Sequence, residues 1–185
     1  MSNIMVVVDK KECNMNYSAI RTCDIADGPG VRVSLFVSGC THCCKGCFNE
    51  STWDFAAGEP FTEETEKRIL EASAPPHIAG LTLLGGEPFE PLNQEGLVPF
   101  LRKWRAAFPQ KDLWCYTGCV LETQLLAPSR WRTPFTDEML SLIDVLVDGP
   151  FVESLKDISL LFRGSSNQRI LDLRDGATAP RPWKL

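Results

Sequence analysis

No stretch of this chain is long and apolar enough to span a bilayer. Near its start, Asn3 and the short run Ile4 to Val8 end in Asp9, Lys10, Lys11 and Glu12, too short and too charged for an export signal. No membrane association is expected, and the compartment read from this is cytoplasmic. Positive charge is also short. Nineteen Lys and Arg stand against 24 Asp and Glu, a net charge of -5, so there is no global basic field for nucleic acid and no nucleic-acid partner is expected. Internal repeats, low-complexity tracts and linker-like stretches are missing too. The 185 residues, 44% of them apolar, therefore read as one domain, 1–185, with enough apolar surface for a sizeable core and a leader, 1–15, of unassigned role.

Cysteine is plentiful by contrast. Eight cysteines without an export signal favour metal or redox chemistry over a disulfide scaffold. Three of them, Cys40, Cys44 and Cys47, stand three and then two residues apart directly after the apolar run Val31 to Val37. A cubane iron-sulfur cluster held wholly by protein takes four thiolates. Three in one tight loop leave an iron open to another ligand, and an open iron is a place for chemistry. The same stretch also contains two abutting C-x2-C pairs, Cys40 with Cys43 and Cys44 with Cys47. These could hold a zinc ion or a fully ligated cluster, although structural zinc sites usually separate their pairs by a longer excursion. In the three-cysteine reading Cys43 is a bystander. His42, His77, Cys115 and Cys119 read as structural.

The run Val31 to Val37, β-branched and bounded by Gly30 and Gly39, predicts a strand with the cysteine loop at its carboxyl end. Thr62 caps a helix running to about Ala72 and stopped by Pro75-Pro76. Leu81 to Leu84 predicts a second strand, Leu97 to Phe108 a helix with Pro99 in its first turn, and Asp112 to Tyr116 a third strand. A weak helical stretch follows near Leu121 to Leu126, then a loop from Pro128 to Pro134. Last come a helix over Asp137 to Ile143 capped by Thr136 and a fourth strand over Val145 to Val147. Alternation of this kind argues for parallel strands in an α/β fold, and four units are too few to close an eight-stranded barrel. The expectation is a partial, open (βα) barrel. Ligand sites in such folds gather at the carboxyl ends of strands, so the cysteine loop, Gly85-Gly86-Glu87-Pro88, Tyr116-Thr117-Gly118 and Asp148-Gly149-Pro150 should share one face.

Gly85-Gly86-Glu87-Pro88 is sufficient for a turn, but its glycines also let a ligand approach the backbone, and a carboxylate or carbonyl there can receive an ammonium group. The C-x3-C-x2-C spacing together with this segment resembles the radical S-adenosylmethionine (SAM) superfamily. Asp27-Gly28-Pro29-Gly30-Val31-Arg32 resembles a segment of the activases of glycyl-radical enzymes. The segments Leu35 to Cys40, Gly46 to Asn49 with Ser51 to Trp53, Val145 to Gly149, and Arg163 to Gln168 resemble one branch, the activating proteins of anaerobic ribonucleoside-triphosphate reductase. The similarity spans most of Asp24 to Leu173. Cys43 is extra, and Gly46 replaces the aromatic that many superfamily members carry there.

The resemblance implies a partial barrel of the radical SAM type and a [4Fe-4S] cluster on Cys40, Cys44 and Cys47. The fourth iron of that cluster would chelate S-adenosyl-L-methionine. Gly85, Gly86 and Glu87 would receive the methionine amino group, and Gly46, Cys47 and Phe48 would lie near the adenosine, with Asp148 a weaker neighbour. Arg163 and the Gly164 to Gln168 segment read either as cofactor or partner contacts or as a polar turn. The implied partners are the large subunit of the reductase, on which a glycyl radical is generated, and an electron donor such as flavodoxin or ferredoxin. The resemblance leaves nearer rivals open: an activase for another glycyl-radical enzyme, or a small-molecule enzyme such as 7-carboxy-7-deazaguanine synthase. A non-catalytic zinc or ferredoxin-like module stands further off.

Overall fold

The computed structural model describes residues 15–184, so fourteen of the fifteen residues of the expected leader lie outside the described part. Met15 does not behave as leader. It is fully buried, and its carbonyl accepts from Phe61 N at 2.8 Å.

One eight-stranded sheet organises the chain, in the order β3-β1-β2-β4-β5-β6-β7-β8. Its strands are β1 (Asn16–Asp24), β2 (Val31–Val37), β3 (Glu59–Pro60), β4 (Ile78–Gly85), β5 (Asp112–Tyr116), β6 (Val145–Asp148), β7 (Arg169–Asp172) and β8 (Arg181–Pro182). The middle four, β2, β4, β5 and β6, are the four predicted strands, and they pair parallel as expected. Antiparallel strands flank them on both sides, β1 on β2 and β7 on β6, and the two-residue strands β3 and β8 form the edges. The sheet is therefore open and mixed. Its edge strands are too short to template pairing with another chain.

Alternation along the parallel strands sorts the two faces. Val33, Leu35 and Val37 of β2, Leu81 and Leu83 of β4, Leu113 and Cys115 of β5 and Leu146 of β6 join one core with Ile69 of α1 (Glu63–Ser73), Leu97, Phe100, Leu101 and Trp104 of α2 (Pro91–Ala107) and Met139 of α3 (Thr136–Leu142). All three helices thus cover the same face. Among the described residues, the opposite face carries no helix. It presents Arg32, Ser34 and Phe36, then Thr82 and Leu84, and a small aromatic cluster in which Trp114 meets Phe162 and Trp183 edge-on.

Helix α1 begins where its threonine predicts: Thr65 N donates to Thr62 Oγ1, and Thr62 N donates back to Thr65 Oγ1. Two other boundaries need correction. Helix α2 starts at Pro91, six residues before the expected Leu97, so Pro99 sits inside the helix and not in its first turn. The proline ring is exposed, which removes one helical donor without a clash in the core. In α3, Thr136 is the first helical residue and not the cap. Its hydroxyl instead accepts from Thr133 N and donates to the buried Gln94. A single π-helical turn, Leu121–Leu125, stands where the weak helical stretch was expected. No helix of the described residues is long and apolar enough to cross a membrane.

Candidate functional site

A cavity of about 600 Å³ opens on the helix-free face at the carboxyl ends of the four parallel strands. All four predicted strand-end segments contribute to its wall: the cysteine loop after β2, Gly85 to Glu87 after β4, Tyr116 to Gly118 after β5, and Gly149 after β6.

The cysteine loop is built by its own chain. Gly39 N donates to Thr52 O at 2.8 Å and Cys40 N to Trp53 O at 3.0 Å, so the short helical turn Glu50–Thr52 buttresses the loop from behind. Within it, Cys47 N donates to Cys44 O, and Asn49 N donates to Cys47 Sγ at 3.4 Å. Cys40, Cys44 and Cys47 are free thiols and all line the cavity. Cys43 does not. The backbone turns through positive φ there (47°), the residue is exposed, and its Sγ–H donates to Cys40 O. Burial, then the nearby Glu87 charge, pushes the Cys40 thiol up to about 12, and burial likewise raises Cys44. Without metal these groups hold their protons, so a cation bound here displaces them.

Of the predicted site residues, Phe48, Gly85, Gly86 and Glu87 also reach the cavity wall. Gly46 lies outside it, where a side chain would meet Glu153 Oε1 at 3.0 Å. Asp148 is buried and committed elsewhere. It accepts from Leu121 N at 2.9 Å and pairs with Arg169, which leaves it no part in the cavity. Arg163, Gly164 and Gln168 are at the wall, and Arg163 donates to Gln168 O.

Glu87 departs most from expectation. Its carboxylate is almost fully buried and already has four donors. Phe89 N and Thr117 Oγ1 donate to Oε1, both at 2.8 Å, and Gly118 N donates to Oε2 at 2.7 Å. His42 Nε2 stands 3.0 Å from Oε2. A carboxylate so occupied ties loops together and is not a free acceptor for an incoming ammonium group. What it joins is the cysteine loop, through His42, and the end of β5. His42 is structural, as expected: stacked on Trp131 at 4.7 Å, it anchors the segment between Cys40 and Cys44. Asn93 adds a second tie by donating to both Ser38 O and Glu87 O. The backbone of Gly86 is equally engaged, with its N donating to Val37 O at 2.8 Å and Glu87 N donating to Gly39 O at 2.8 Å.

Of the segment Asp27 to Arg32, Asp27 alone lines the cavity. Arg32 is fully buried and structural. It pairs with Asp112 at 2.7 Å and donates to Thr82 Oγ1 and Leu81 O, while Thr82 Oγ1 donates to Asp27 O. Asp27 therefore sits at the cavity beside Asp24. Burial, and then the hydrogen bond and charge of Asp24, push the Asp27 carboxyl up to about 7. Burial also acts to raise Asp24, but the Asp27 carboxyl beside it and the Ala26 N–H, which donates to Asp24 Oδ1 at 2.9 Å, outweigh it and hold Asp24 below the usual range. The native state then binds a proton at Asp27 that the unfolded chain has released above about pH 4, so stability falls as pH rises from about 4 to 7. Asp24 acts in a separate window, adding stability that is lost only as pH falls below about 4. Asp27→Asn cannot ionise. Its advantage over the parent in denaturant unfolding of the metal-free protein should be larger at pH 8 than at pH 5, and an equal gap at both values would show that Asp27 titrates normally.

A family model described as a 4Fe-4S single cluster domain matches residues 26–171 of this chain. Among curated relatives, the anaerobic ribonucleoside-triphosphate reductase-activating protein of Pasteurella multocida is 45% identical over 158 residues, covering 84% of this chain and 96% of that protein. The protein of the same name from Escherichia coli K12 is 43% identical, covering 86% of this chain and all of that one. The one from Enterobacteria phage T4 is 42% identical, covering 92% and 99%.

Proposed function

The chain belongs to the family of anaerobic ribonucleoside-triphosphate reductase-activating proteins, and from that membership we propose that it generates a glycyl radical on the large subunit of such a reductase by radical SAM chemistry. The observation that carries this reading is the set of three free thiols on one cavity wall, with the fourth cysteine of the loop turned away. Three thiolates suit a [4Fe-4S] cluster with one iron left for SAM, and the donor set is right for iron and sulfide. The cluster and SAM, when bound, supply one-electron cleavage of SAM and removal of a hydrogen atom from a glycine of the partner.

The chain's own residues hold and shield that chemistry. Cys40, Cys44 and Cys47 ligate the cluster, and Asn49 N–H tunes the Cys47 sulfur through its hydrogen bond. Cys47 and Phe48 border the adenosine end. With the Glu87 side chain occupied and the Gly86 and Glu87 amides donating to Val37 O and Gly39 O, the backbone carbonyls of the segment, that of Gly86 foremost, are left to accept from the methionine amino group. Phe36, Leu84 and Tyr116 form the floor and keep water from the reacting atoms. An electron carrier of the flavodoxin or ferredoxin kind supplies the electron. We read the open sheet, with helices on one face and the site on the other, as a partial barrel of the radical SAM type.

Anaerobically reconstituted protein, given SAM and reductant, should form methionine and 5'-deoxyadenosine. With the reductase large subunit present, it should produce a glycyl-radical EPR signal. Cleavage without any glycyl signal would move the reading to a different substrate, and no cleavage above a cluster-free control would end it.

A further inference from the structure

Six large apolar side chains stand exposed among the described residues, and five of them belong to segments that border the cavity mouth. Ile25 (75% exposed) precedes Ala26 and Asp27 on one side, Phe48 (63%) belongs to the cysteine loop, and Leu155, Ile158 (92%) and Leu161 (58%) lie on the hairpin between β6 and β7. Apolar residues scattered singly over a surface need no explanation, but a ring of them around one opening does. The hairpin is held in place. Lys156 and Ser165 form an antiparallel bridge, Ser166 N donates to Leu155 O at 2.9 Å, and Phe162, at φ +55°, turns inward onto Trp114 and Trp183. Anchored through Phe162, the tip presents Ile158 and Leu161 outward, and packing among the described residues leaves them bare.

We infer that this apolar rim, Ile25 on one side and Ile158 with Leu161 on the other, is the docking surface for the glycine-bearing loop of the reductase large subunit. The inference rests on the function proposed above. The cavity has the size of an ordinary small-molecule site, which a nucleoside–amino acid cofactor takes up by itself. Ile158 reaches the cavity wall, but Ile25 and Leu161 lie outside it, so a small-molecule substrate would leave those two in water. A protein loop that must put a backbone carbon into the cavity crosses the rim on its way and covers it. A rim of this kind also excludes water, which a reactive carbon-centred species requires. Arg21 and Arg163 at the wall supply donors for the carbonyls of that loop.

Ile25 and Leu161 do not themselves line the cavity, and both are exposed enough to be replaced without harm to the core. Leu161→Asp and Ile25→Lys put a charge where an apolar contact is proposed, and each should weaken binding of the purified large subunit about tenfold or more. The glycyl-radical yield at limiting activase should fall in step. Iron content and reductant-driven 5'-deoxyadenosine formation without reductase should stay at parent levels, and Leu161→Met should behave like the parent. Full binding and full radical yield in both charged variants would overturn the docking role. So would loss of deoxyadenosine formation in step with binding, which would place these residues in the cofactor site. If the charged variants dissolve a homodimer while still binding reductase, the rim serves self-association and the proposal fails. A parent protein that cleaves SAM but never yields a glycyl radical would defeat the functional reading itself, a result distinguishable from all of these.

Discussion

Alanine at Cys40, Cys44 or Cys47 is expected to leave a protein with little iron and no 5'-deoxyadenosine formation, whereas Cys43→Ala should retain both. The three thiols share a cavity wall, and with two thiolates left a second iron would face water and be lost. Cys43 is exposed on a positive-φ turn and directed at the Cys40 carbonyl, so the tandem C-x2-C arrangement would need the loop to re-form around it. Measured side by side under anaerobic conditions, iron content and SAM cleavage for the four variants separate the two ligand sets. Equal collapse of all four would mean a closed four-cysteine site and would remove the open iron on which the proposed chemistry depends.

The sequence made the parallel centre of the sheet legible because its strands are continuous apolar runs ending in glycine-containing turns, which is what burial on two faces produces. The flanking strands carried no such signal. β1, Asn-Tyr-Ser-Ala-Ile-Arg-Thr-Cys-Asp, is half exposed with two register shifts against β2, so neither alternation nor a turn residue marks it. β3 and β8 are two residues each and owe their existence to the strands beside them. The early start of α2 was signalled by Pro91 at the first helical position, but Asn93, Gln94 and Gly96 made the stretch look like a loop. Those polar residues are buried because they work for the site. Asn93 ties Ser38 to Glu87, and Gln94 gathers Phe89, Trp131, Thr133 and Thr136. A buried polar residue is recognisable only once its partners are known, and these lie up to 55 positions away in sequence. The same holds for His42 and Thr117. Spacing alone could bring the cysteines and glycines together, but it could not say that the Glu87 side chain was already taken.

Gly86→Ala carries the second large effect, and here sequence and structure lead to different outcomes. If the glycine serves only to admit a cofactor, a methyl group should weaken SAM binding and spare the cluster. The structure points to a different lesion: a Cβ at Gly86 would stand 2.5 Å from Gly39 O and 3.1 Å from Gly39 N, both backbone atoms. Gly39 has little freedom to retreat. Its N–H is bound to Thr52 O, its carbonyl accepts from Glu87 N, and the Phe55 ring packs so closely on its Cα that a side chain there would overlap the ring. The strain should cost about 1–3 kcal/mol, as overpacking of a close-packed contact does. It passes directly to Cys40, the next residue and the first proposed cluster ligand. Iron retention and deoxyadenosine formation should therefore fall together in Gly86→Ala, with a lowered melting temperature of the metal-free protein. A variant that keeps its iron and its melting temperature but needs far more SAM would return Gly86 to the role of a cofactor contact and show that the Gly39 backbone yields without disturbing the thiolates.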